Sequence, residues 1–412
     1  MRTFVWTTAG AAVVLLVSAA PAAGADWPQF RGPSRDGISP ETDLARTWPD
    51  GGPPPVLTLS GLGEGWSSPV VAGDRILATG TRSGYFVVFC FDLAGRPVWR
   101  APCGRAYEGS YPGARSTPTV AGGRVYVLSG RGLLTALTLD AGRKAWMVNI
   151  FDRFRGHPPR FGVAESVLAT GGRVICTPGG AEGTLAALDA ATGSVVWTSR
   201  GVDEAAGHAS PIEVTWRGRR QIVTLTHKGL VGVAAEDGRL LWRHAKGFGW
   251  MLHENTMTPV FRDGLVFAEG GHRSGGVCVR LVPDGDGFAA QPVWTKPEHA
   301  SHTGGYVERS GHLYGGTGRG WGCIDMASGE ERWREPAIRR AATLWADARF
   351  YCVGEKGTVC LVDAGPDGCT VAGRFEIPNA GAQTWAYPAL ADGRLYVRRK
   401  DHVYVYDVSA KE

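Results

Sequence analysis

The chain has 412 residues and a formal net charge of +5, with 20% charged and 43% hydrophobic residues. The charge is scattered, with no block of one sign, which argues against nucleic-acid or membrane-surface partners. Sixty Gly and fifteen Trp point instead to many tight turns and a large aromatic residue that keeps returning.

Residues 1–25 read as a signal peptide. Arg2 is a thin basic start, Ala9 to Ala20 is apolar, and Ala23-Gly24-Ala25 fits a small-x-small cleavage pattern. The apolar run is short for a membrane span. No Cys precedes Cys90, so no lipid-attachment cysteine stands near a cut at Ala25. The expectation is a periplasmic or secreted protein, monomeric, with no membrane span in the mature chain. Residues 26–65 form an irregular arm that opens Asp26-Trp27-Pro28-Gln29-Phe30-Arg31-Gly32-Pro33 and carries one strand candidate, residues 56–59.

From Trp66 onward one unit repeats. Ser116 to Val120 is a first strand, Gly122-Gly123 a tight turn and Val125 to Leu128 a second strand. Leu133 to Leu139 is a third, and a turn at Gly142 leads to a fourth that ends at Trp146. The same Gly-x-x-x-Trp skeleton occurs at Gly95/Trp99, Gly193/Trp197, Gly238/Trp242 and Gly329/Trp333. Four antiparallel strands in a unit of roughly 40–50 residues predict β-propeller blades. A seventh blade has Phe375 where Trp is expected. The eighth, from Trp385 to Asp407, runs out one strand short. An open blade would leave an unpaired edge, so residues 56–59 are expected to supply that strand. The fold predicted is all-β: an eight-bladed propeller over residues 66–412, with seven blades as the alternative. Cys352 and Cys360 flank one turn symmetrically, so they either face each other as a disulfide pair or are small buried residues.

Ala187-Leu188-Asp189-Ala190-Ala191-Thr192-Gly193-Ser194-Val195-Val196-Trp197 resembles the tryptophan-docking repeat of the quinoprotein (PQQ-like) propellers, A-x-D-x-x-T-G-K-x-x-W, with Ser for Lys. Ile324 to Trp333 is a second copy, and Trp27-Pro28 to Gly37 is similar to the start of many such proteins. The resemblance covers the whole mature chain. It implies the fold and leaves several activities open. The family includes alcohol and sugar dehydrogenases that use PQQ and Ca²⁺, the assembly scaffold BamB, and propellers of no known ligand. The chain lacks the adjacent Cys pair of the alcohol dehydrogenases and the C-x-x-C-H of an appended cytochrome.

Residues ahead of the first strand of each blade should ring the channel on one face. They are Trp66, Arg115, Glu165, His208, Glu254 with Asn255, His302, Trp345 and Trp385. Long loops on that face are expected to bind. Resemblance to the quinone enzymes implies that Glu165 and Asn255 would hold Ca²⁺, with Arg115 and Trp385 lining the cofactor. Trp66, His208, Glu254, His302 and Trp345 are the further ligand-lining candidates. No nucleophile elbow, zinc-protease helix or phosphate loop is present. The main reading is therefore a non-catalytic, exported, BamB-like scaffold with envelope protein partners and no cofactor. The alternatives are a PQQ- and Ca²⁺-dependent alcohol or sugar dehydrogenase and a small-ligand or carbohydrate-binding ring.

Overall fold

The computed structural model describes residues 25–245, 255–271, 275–297, 305–317, 319–378 and 383–410. Eight four-stranded antiparallel sheets follow one another. Blade 1 spans residues 70–105, blade 2 119–149, blade 3 168–198 and blade 4 212–244. Blade 5 spans residues 260–296, blade 6 306–335 and blade 7 341–376. In each of these the strands run outward in chain order, so the chain starts every blade at the channel and leaves it at the rim. Blade 8 takes three strands from residues 389–407. Its fourth is Pro55–Leu59, which pairs antiparallel with His402–Asp407 (Leu57 opposite Val405, Leu59 opposite Val403). The two ends of the chain thus close the ring, as the missing strand requires.

Local chemistry explains the regularity. At the first turn of blade 2, Gly122 and Gly123 both have positive φ (56° and 71°), the hairpin turn whose twist matches the strands. Before the outermost strand an Asp folds the turn onto itself. Asp189 Oδ1 accepts from Ala191 N (3.0 Å), Thr192 N (2.8 Å) and Thr192 Oγ1 (2.9 Å), and these bonds hold its pKa below the usual carboxylate value.

The Trp residues seal the seams between blades. Trp99, Trp146, Trp197 and Trp294 each donate from Nε1 to a backbone carbonyl of the next blade (Leu139, Ala190, Ala235 and Met326; 2.9–3.1 Å). Each lies flat against the turn glycine there: a Cβ on Gly238 would fall 2.5 Å from Trp197. Trp333 reaches Gly365 O (2.8 Å). Three seams differ. Trp242 bonds Gln221 within its own blade, and Trp216 of the innermost strand takes the corresponding carbonyl, Leu281 O (3.3 Å). Leu57 of the closing strand sits against Gly95. In blade 7 the expected docking residue, Phe375, is two positions off. The bulge register places Gly373 at the docking position, and Trp48 from the arm packs over it and against Phe375 (centroids 5.4 Å). The arm therefore supplies the indole that blade 7 lacks.

A second ring of bonds stitches the innermost strands. Tyr387 N donates to Ser68 Oγ, Ser68 N to Thr117 Oγ1, Thr117 N to Ser166 Oγ and Ser166 N to Ser210 Oγ, all 2.9–3.0 Å. This fixes the height at which blades 8, 1, 2, 3 and 4 begin. Cys352 and Cys360 are opposite each other in adjacent strands, both buried, and both are free thiols. Among the described residues no helix is long and apolar enough to cross a membrane.

Candidate functional site

The arm opens by crossing the channel. Trp27 pairs with Val71 of blade 1, and Pro28 O accepts from Val120 N of blade 2 (2.8 Å). Arg35 donates to Ser166 O (2.8 Å), Val167 O (2.6 Å) and Pro211 O (2.6 Å) of blades 3 and 4, and Arg31 to Tyr306 O of blade 6. Ile38 then bridges to Trp345 of blade 7. Innermost strands on opposite sides of the axis are joined by one segment, residues 27–38, which acts as a plug. Arg31 and Arg35 are 1% and 2% exposed. Burial of a cation needs dense hydrogen bonding. Backbone carbonyls provide it for Arg35, whose pKa burial still lowers to about 9, whereas Arg31 bonds through Nη2 and its Nε and Nη1 have no partner among the described residues. Trp345 belongs to this lower end. It lies near the end of its strand Ala341–Ala346, not ahead of it, and Arg309 stacks 3.8 Å over its ring. The expectation that it lines the upper mouth is corrected. The strand begins at Ala341, before the aromatic residue expected to precede it.

The upper face gathers the other residues. Trp66 and Trp385, on either side of the closing seam, lie with ring centroids 4.5 Å apart, and Tyr111 meets Trp385 edge-on at 5.1 Å. Indole donors fix this platform: Trp66 Nε1 to Pro112 O (3.1 Å) and Trp385 Nε1 to Glu355 Oε1 (2.8 Å). Arg115 donates to the carbonyls of Ser110, Tyr111 and Phe161 and lies 4.6 Å over the Tyr107 ring. It staples two loops and is not free for a ligand. His208 is buried near Phe161. Burial, with the Arg115 charge adding to it, lowers its pKa to about 4, so it is neutral at pH 7. Asn255 spends its amide donors on Thr226 O (2.7 Å) and His227 O (3.1 Å), while its Oδ1 has no hydrogen-bond partner among the described residues.

Glu165 sits deeper. Its Oε2 accepts from Thr177 N (3.1 Å) and its Oε1 has no partner among the described residues. Burial raises its pKa to about 7, against the pull of Thr177 and of the Arg35 charge. The Ca²⁺ expectation can be tested on these residues. Ca²⁺ takes six to eight oxygens, several of them carboxylate. Here the one carboxylate has a guanidinium as its charged neighbour, and among the described residues no three His, Cys, Asp or Glu converge. Among the described residues, Glu165 and Asn255 do not by themselves complete a Ca²⁺ ligand set. Glu254 and His302 lie outside the described residues.

Sequence reasoning missed the plug arginines and a second buried acid. Tyr306 OH donates to Glu269 Oε2 (2.9 Å), and burial raises Glu269 to about 8. The arginines had a signal, two long cations close together in the Gly- and Pro-rich stretch that opens the arm, with no acidic run to meet them. Glu269 had none, since it ends an ordinary strand, Leu265–Glu269.

Comparison with known proteins places this ring. The BamB of Moraxella catarrhalis superposes with TM-score 0.63 at 16% identity, over 87% of this chain and 98% of that one. A quinohemoprotein alcohol dehydrogenase from Comamonas testosteroni gives 0.61 at 16%, over 94% and 81%. The computationally designed protein Ika8 gives 0.61 at 11%, over 86% and 99%. At such identities the likeness shows the fold alone. Among curated proteins none matches in sequence. The profile of the family described as outer membrane protein assembly factor BamB matches residues 43–149 and 86–335, and the chain belongs to this family of PQQ-like propellers.

Proposed function

We propose that this chain is an exported, non-catalytic propeller that acts as a binding or assembly scaffold in the cell envelope, as a monomer whose signal peptide is residues 1–25. The plug carries the reading. Arg35 puts its donors on backbone carbonyls of blades 3 and 4, and Arg31 reaches Tyr306 O of blade 6, so part of the polar capacity near the axis is already committed within the chain. The name of its family, an assembly factor, points the same way. A rigid ring with loops and an aromatic platform on its upper face suits protein contact, where Tyr and Trp are favoured anchors. Tyr111, 53% exposed, is the place to test it. A photo-crosslinker at Tyr111, expressed in the native envelope, should trap discrete partner proteins, whereas one at Met147 on the rim should trap few. Recovery of monomer alone from both positions would defeat the reading. The competing quinone-dehydrogenase reading has its own test. Purified protein given PQQ and Ca²⁺ should not reduce a dye with alcohols or sugars, and activity that is lost in Glu165→Ala would establish that reading instead.

A further inference from the structure

Away from the channel, on the upper side of blade 7, lies a cavity of about 400 Å³. Its walls carry Arg339 and Arg340 from the loop before the strand Ala341–Ala346, Lys356 from the turn after Arg349–Gly354, and Arg374 from the outermost strand. Glu355 is the one carboxylate among its lining residues, so four cations against one anion leave an excess of three positive charges. Glu355 is also already engaged, by Arg340 (3.2 Å) and by the Trp385 indole (2.8 Å).

The remaining cations have little to neutralise them. Among the described residues Arg374 pairs with Glu376 at 3.7 Å, and both side chains are more than half exposed, 55% and 58%, a pairing worth little in water. Arg339 donates its Nε to Pro336 O (3.2 Å). Neither Arg339 nor Lys356 has a carboxylate within ion-pair distance among the described residues. Three separate pieces of chain thus bring like charges to one concavity, an arrangement that costs energy until an anion enters. Guanidinium forks match oxyanions bidentately, and Lys adds a point charge.

We infer that this cavity binds a phosphomonoester. A phosphomonoester carries roughly −1.5 to −2 charge at pH 7 and three acceptor oxygens, a closer match than a single carboxylate to the unpaired Arg339 and Lys356 together with Arg374, whose pair with Glu376 is exposed. The ligand chemistry is shared by a free sugar or glycerol phosphate and by a phosphatidic-acid headgroup. The cavity is distinct from the Trp66–Trp385 platform and meets it at Glu355.

The test uses the full mature chain at fixed ionic strength, titrated calorimetrically with glycerol 3-phosphate and, separately, floated with neutral vesicles with and without phosphatidic acid. Binding in either arm supports the inference, and the arm that binds names the source. Lys356→Gln and Arg374→Gln, both at exposed positions, should each weaken binding about tenfold, and the double variant should abolish it. Glu355→Gln, which removes the opposing charge and frees Arg340, should tighten it several-fold. Arg96→Gln, the same charge change on distant blade 1, should leave the affinity unchanged. The inference is overturned if neither arm binds, if Arg96→Gln weakens binding as much as Lys356→Gln, or if succinate competes as well as the phosphomonoester. The scaffold reading can fail in crosslinking without touching this result, and the reverse holds too.

Discussion

Glu165 and Glu269, on blades 3 and 5, are both raised by burial, to about 7 and about 8. The unfolded chain releases these protons near pH 4.5, so the native state binds more protons than the unfolded state from there up to 7 and 8. Stability therefore falls as pH rises through that window. His208 acts in the opposite sense. Its folded pKa of about 4 lies below the unfolded 6.5, so its contribution rises with pH between those values and is flat above. Between pH 6.5 and 7.5 the glutamates thus act unopposed by it. Urea unfolding across this interval should show stability falling with pH, and Glu165→Gln and Glu269→Gln should each flatten the slope. A slope unchanged in both variants would mean that the two carboxyls titrate normally.

At the level of the element, the seam is the unit that repeats. Removing a buried indole leaves a large void, at a cost of about 3–5 kcal/mol. Trp197→Ala should show this by chemical denaturation. Trp48→Ala should cost a similar amount although it lies in the irregular arm, because it fills blade 7's empty docking place. If Trp48→Ala changes stability by less than about 0.5 kcal/mol, as exposed positions do, the arm is not part of the seam. Gly238→Ala should also destabilise, since its φ is +73° and the added methyl would meet Trp197.

This scale also shows what could be read in advance. The blade count and the closing strand were legible because turn glycines, the Asp before them and the Trp after them are local signals set by backbone geometry. Residues 187–197 carry all three. The Trp345 and Phe375 placements failed because an aromatic residue in a strand does not reveal its register. A bulge shifts the pairing between Leu361 and Val362, and with it which residue faces the seam. The candidate site was legible only as a set of chain positions. Glu165, His208 and Asn255 do stand ahead of their strands, but Glu165 accepts from the Thr177 backbone N–H and feels the distant Arg35, and Asn255 donates to backbone carbonyls, contacts that spacing does not encode. A cheaper signal went unused: Ser68-Pro69, Thr117-Pro118 and Ser210-Pro211 mark the hydroxyls that stitch the inner ring.

Across the whole molecule the arm joins everything. Residues 27–38 cross the channel, Leu44 and Trp48 enter the core with blades 7 and 8, and Pro55–Leu59 completes blade 8. Deleting residues 26–60 should therefore do more than trim a tail. It should expose the edge of His402–Asp407 and empty the channel, giving oligomers or aggregates by light scattering in place of monomer. A monomer with unchanged melting behaviour would show that the ring holds without its clasp.

Because the strand Pro55–Leu59 pairs with His402–Asp407, a segment made before blade 1 must wait for the third strand of blade 8. A product truncated before residue 400 has no mate for Pro55–Leu59, whatever number of finished blades it carries. Closure of the circle therefore falls to blade 8, and a fragment without that blade keeps an unpaired strand beside blade 1.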